Sequence, residues 1–132
     1  MSTERLITVE SSFPHDETVQ RLEAAVREGG MTPFSHIDHA AGAAGVGLVL
    51  RPTQVLIFGN PRAGVLLMQD NQEIGFDLPL RALIWQDDHD RIWVSYIEPA
   101  EIAKQYGIAN RENLLAKMGQ SVKLAVERAT AA

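Results

Sequence analysis

His39 stands directly after Asp38, and a histidine beside a carboxylate can act as general acid or base near neutral pH. Asp38 or Asp77 is placed in sequence to orient such a ring, and Tyr96 or Asn60 to donate a hydrogen bond to a developing oxyanion. His39 is therefore the candidate catalytic residue. No nucleophile accompanies it: the chain has no cysteine, and no serine stands in a nucleophile-elbow pattern. His36-x-Asp38-His39 also groups metal-ligand residue types close in sequence. On a strand His36 and Asp38 share a face while His39 turns away. The expectation is no metal, with Asp38 capping a helix instead.

A second feature places a site more firmly than it names a reaction. The apolar run Val55-Leu56-Ile57-Phe58 stops at Gly59, and Asn60-Pro61 follows. This reads as a buried strand delivered into a corner, with Asn60 as helix N-cap and Pro61 as first helical residue. Such a corner leaves an amide side chain and unpaired backbone N–H groups, where ligands often sit. The expected ligand-binding set is Asp38, His39, Asn60, Arg62 and Tyr96. Gly42-x-x-Gly45-x-Gly47 lacks the Lys-Ser/Thr ending of a phosphate loop and the glycine order of a dinucleotide fingerprint. Those glycines are read as packing residues, and no cofactor is expected. The aromatics Phe58, Phe76, Trp85, Trp93 and Tyr96 either line an apolar pocket or serve as core and dimer contacts. His15 and His89 read as solvated loop residues, and Asp87–Asp90 as a hairpin tip.

The elements that must position these residues follow from periodicity. Strands are expected over 5–11, 31–38, 54–59, 80–86 and 91–97, the second at an edge or irregular at its start because of Pro33. Val19, Leu22 and Val26 mark a helix over 16–28, stopped by Gly29-Gly30. Residues 39–47 form a short helix or compact loop, 61–70 a short helix, and Pro99 starts another that ends at Gly107. Leu115, Met118, Val122 and Val126 mark a long amphipathic helix over about 111–129. No repeat or linker divides the 132 residues, so one α+β domain over 1–132 is expected.

Strands three, four and five are apolar on both faces, whereas a sheet with one wet face should alternate. Two long helices cover one face; short helices, a second subunit or an apolar ligand must cover much of the other. A homodimer does so most simply, because a self-complementary patch closes on itself. A net charge of −5 with scattered basic residues argues against nucleic acid. No apolar run approaches the length needed to span a bilayer, so a cytoplasmic protein is expected, with no membrane partner.

Several motifs in order carry a family resemblance: Ile37-Asp38-His39-Ala40-Ala41-Gly42-Ala43, Leu50-Arg51-Pro52-Thr53, Ile57-Phe58-Gly59-Asn60-Pro61, Asp77-Leu78-Pro79-Leu80 and the Trp-x-Ser-Tyr of 93–96. Over roughly residues 5–108 they resemble the bacterial and archaeal family called domain of unknown function 302. The resemblance implies a curved, mainly antiparallel sheet with helices packed on one face, similar to the TATA-box-binding-protein architecture, and a dimer. It carries over no catalytic residue, and fold does not imply function. The leading expectation is a homodimeric module that binds or senses a small molecule. The rivals are an enzyme using His39 as acid or base, and a structural adaptor for a partner protein.

Overall fold

The computed structural model describes residues 4–132. In chain order these form β1 (Leu6–Ser11), α1 (His15–Glu28), β2 (Thr32–Asp38), α2 (His39–Gly45), β3 (Thr53–Gly59), α3 (Pro61–Asp70), a 3-10 helix (Gln72–Asp77), β4 (Leu80–Gln86), β5 (Ile92–Ile97), α4 (Pro99–Gln105) and α5 (Glu112–Thr130). The strands make a five-stranded sheet in the order β1-β5-β4-β3-β2, antiparallel at each pairing, and the sheet is open.

Period-two alternation decides which side chains meet the helices. Leu56 and Phe58 of β3, Leu80, Ala82 and Ile84 of β4, and Ile92, Val94 and Tyr96 of β5 are buried. They join Val19, Leu22 and Val26 of α1 and Leu115, Val122 and Val126 of α5 in one core. Leu56, Ala82 and Tyr96 are cross-strand partners in register, so one buried row runs across the three central strands β3, β4 and β5. α1 and α5 pack against each other over this face. The opposite set, with Val55 and Ile57, Leu83 and Trp85, and Trp93 and Ile97, is only half-buried, and no long helix lies over it.

Local chemistry sets the element ends. The Asn60 side-chain carbonyl accepts from the Arg62 and Ala63 backbone N–H groups at 3.0 and 3.3 Å, with Pro61 at the first helical position. Asp38 caps α2 through the Ala41 N–H at 2.9 Å. β2 is an edge strand whose register slips between Pro33 and Ser35, the irregular start that Pro33 implies. Gly107 closes the chain after α4 at φ +65°, a left-handed position that favours glycine.

One sequence expectation is corrected. His15 is not a solvated loop residue: it opens α1, is 6% exposed, and its Nε2 lies 2.9 Å from the Ile84 carbonyl oxygen. A carbonyl can only accept, so Nε2 carries the proton. Nearby, the Ser11 and Thr18 hydroxyls pair at 2.7 Å, tying the end of β1 to the start of α1. His89 is exposed at the hairpin tip, as expected.

Replacing His15 with alanine removes a buried donor and should cost about 1–3 kcal/mol. Urea unfolding of His15→Ala measures this directly; a loss below about 0.5 kcal/mol would mean that the Ile84 carbonyl does not depend on the ring.

Candidate functional site

The five residues expected to share a site do not come together. Asp38 and His39 lie where β2 ends, beside the start of β3, because Asp38 pairs with Gln54. Asn60 and Arg62 lie beyond the other end of β3. Seven residues of strand separate the two places, about 20 Å at the rise of an extended chain. Tyr96 is on the helix side of β5, 5% exposed within the core, because it shares the parity of Ile92 and Val94. His39 is exposed and without a hydrogen-bond partner among the described residues. The Asp38 carboxylate is occupied by the cap and by the Gln54 amide at 3.5 Å, and Asp77 stands at the far end of the sheet. His36 leaves the cluster altogether, its Nε2 3.1 Å from Glu23 of α1. The ring-orienting contacts that acid–base work by His39 calls for are absent among the described residues.

The aromatics divide likewise. Phe58 is core, Phe76 is 90% exposed, and Trp85 and Trp93 stack at 6.3 Å between ring centroids on the uncovered sheet face. Trp93 donates from its indole to Asp87 at 2.8 Å, and the same carboxylate accepts from the His89 and Arg91 backbone N–H groups. The indole contact, ahead of the backbone ones, holds the Asp87 carboxyl below its ordinary pKa. Asp87, Asp88 and His89 have ligand atoms within 4.8 Å of one another. Asp87 is nevertheless already engaged through both oxygens in building the hairpin.

Two hollows remain. The strand-three corner does hold one, of about 120 Å³, beneath Asn60 and Pro61 and walled by Phe34, Met68, Leu78 and Met118. Its walls are nearly all apolar, and the Asn60 carbonyl is already spent on the cap. The other, about 230 Å³, opens on the uncovered sheet face. Leu6, Val55, Leu83 and Ile97 contribute apolar lining, and Arg5, Asp77 and Arg81 contribute charge. Ser95 lies here too, its hydroxyl 2.9 Å from the Thr8 hydroxyl and accepting from the Trp85 indole at 3.0 Å.

Asp77 is held on both sides. Arg81 donates to one oxygen at 3.3 Å, and the Tyr106 hydroxyl donates to the other. That hydrogen bond, then burial and the negative charges of Asp77 and Glu73, push the Tyr106 phenol above its usual pKa. Of the expected ligand-binding residues, Tyr96 also lines this hollow; sequence reading missed Arg5, Arg81 and Tyr106 as site residues and used Asp77 only as a partner for His39. One signal was available for Arg81: along β4 it shares parity with Leu83 and Trp85, a cation set into an otherwise apolar face.

Comparison with known proteins agrees with this architecture. The family described as "Domain of unknown function DUF302" matches residues 7–129. The crystal structure of an uncharacterized conserved DUF302 protein from Bacillus stearothermophilus superposes with a TM-score of 0.86, covering 96% of this chain and 99% of that one at 18% identity. At that identity the likeness speaks for the fold alone. A protein of Brucella suis named fluoride-specific ion channel FluC 1 is 45% identical over 103 residues, which are 78% of this chain and 41% of that protein. Its counterpart in Brucella abortus gives the same identity over 38% of its length. The chain thus spans about two fifths of the length of these curated relatives. Among the described residues, no helix is long and apolar enough to cross a membrane.

Asn60→Ala should cost about 1 kcal/mol, as a lost cap does, while Asn60→Asp keeps most of the stability; thermal melts of both variants test the cap. The two tyrosines, Tyr96 raised mainly by burial and Tyr106 mainly by Asp77, should form phenolate only above pH 10.0 in the native protein. Both folded values lie above the unfolded one, so their stabilising contribution is complete below the unfolded pKa and falls as pH rises through the folded values. A phenolate absorbance titration checks this, and Asp77→Asn should bring the Tyr106 step down.

Proposed function

Since the chain belongs to the DUF302 family, a family defined by sequence and not by activity, we propose its function from its own surface: a homodimeric module that binds a small molecule. The observation that carries this reading is the uncovered sheet face. Val55, Leu83, Trp85, Trp93 and Ile97 occupy a face that no long helix covers. The connector from α2 to β3 adds Val46, Leu48, Val49 and Leu50, all exposed, with Val49 fully so. The sheet residues are half-buried and the connector residues exposed, and monomers seldom leave large apolar patches in water. A second copy related by a two-fold axis covers the strip with the same strip. The hollow towards the Leu6 and Ile97 ends of the strands is the place for a ligand. Catalysis by His39 has less support, given its exposed ring and the engagement of Asp38.

A second reading takes its support from the Brucella relatives. A channel must cross the bilayer, and the described helices of this chain do not have the length and apolarity to do so. The region shared with those proteins then corresponds to a non-spanning companion domain, and this chain acts beside a membrane channel. Fluoride efflux from vesicles holding a Brucella channel stripped of the matched region, measured with and without this chain, tests that role. Unchanged efflux counts against it.

Light scattering of the purified protein should give twice the chain mass, and Val49→Asp with Leu48→Asp should shift it to the single-chain mass without unfolding. A monomeric parent protein would remove the dimer from the proposal. A thermal-shift screen of small metabolites tests the binding role, since a ligand at a hundred times its Kd adds about 2.7 kcal/mol.

A further inference from the structure

We propose that the hollow on the uncovered sheet face is a site for a short aliphatic carboxylate, its chain on Leu6, Val55, Leu83 and Ile97 and its head group between Arg5 and Arg81. The inference rests on the small-molecule reading above and names the class of molecule.

Three observations carry it. The first is charge. Arg5, Arg81 and Asp77 line the hollow, a surplus of one positive charge (two cations against one carboxylate). Both Asp77 oxygens are already engaged, by Arg81 and by the Tyr106 hydroxyl, so Asp77 offers little repulsion to an incoming anion. The second is donor geometry. Arg81 spends one terminal nitrogen on Asp77, at 3.3 Å. A guanidinium has five N–H donors in a planar fork suited to a carboxylate, so most of the fork is left for a ligand. Asp77 in effect aims it. Arg5 forms no ion pair among the described residues. The third is size and lining. About 230 Å³ falls below the roughly 300–1,000 Å³ of pockets for drug-sized ligands. The four lining side chains named are aliphatic, and the Ser95 hydroxyl beside them is occupied by Thr8 and Trp85. A ligand here therefore needs a small apolar body and one anionic end.

Calorimetric titration of the full chain with hexanoate should show saturable binding, one molecule per chain, while hexanol gives none. Arg81→Gln and Arg5→Gln should each weaken hexanoate at least tenfold. Arg81→Gln loses only an exposed ion pair, which contributes little to stability, and Arg5→Gln loses none, so a variant that melts like the parent is available. Equal binding of hexanol, or hexanoate binding that survives both substitutions, would overturn the assignment. So would the absence of hexanoate binding in a protein that responds to another metabolite in the thermal-shift screen; in that case the binding module stands and the carboxylate falls. A protein that responds to nothing in either experiment loses both.

Discussion

Two long helices can cover one face of a five-stranded sheet, and this chain has apolar side chains on two. On the helix side the account closes: Leu56, Ile84 and Val94 have essentially no contact with water, and each large aliphatic side chain buried this way contributes roughly 1.5–3 kcal/mol. The other face gives far less until something is laid on it. Fold and function meet in that asymmetry. The side chains that complete the core are interleaved, residue by residue, with half-buried ones on the open face.

The local elements were legible because they follow from short-range chemistry. Asn60-Pro61 opens α3 where the cap-then-proline pattern said it would, and Leu80–Gln86 is strand over the expected span, after the Asp77-Leu78-Pro79 corner. Asp38 caps α2 as read. Pro33 falls on an edge strand with a slip in register. What the sequence did not disclose is long-range. Nothing near His15 says that its ring will reach the Ile84 carbonyl, 69 positions away. Nothing near Asp77 announces Tyr106, 29 positions on. The supposed site failed to assemble for the same reason: Asp38 and Asn60 flank the segment that ends in β3, and that extended strand holds them at opposite ends of the sheet. Proximity along a strand is distance in space.

The electrostatics show a similar division of labour. The chain as a whole is acidic, yet the hollow on the open face is lined by two arginines whose one acidic neighbour is already satisfied. On a negatively charged molecule the proposed selectivity for an anion would have to come from short-range donors and not from the overall field. Asp77 fits that logic as a fixture that holds Arg81. At the hairpin, Asp87 plays a comparable part: one carboxylate gathers two backbone N–H groups and an indole and fixes the turn between β4 and β5.

The slip in β2 bears on how copies of this chain can meet. An edge strand presents a row of unpaired amide groups that invites another sheet to extend it, and unchecked extension ends in fibrils. Here Pro33 deletes a donor from that row, and the slip at residues 33–35 bends what remains out of register. Side-to-side growth through β2 is thereby discouraged, whereas stacking through the open face meets no such obstacle. The blunted edge fits the closed pair proposed above better than an endless ribbon.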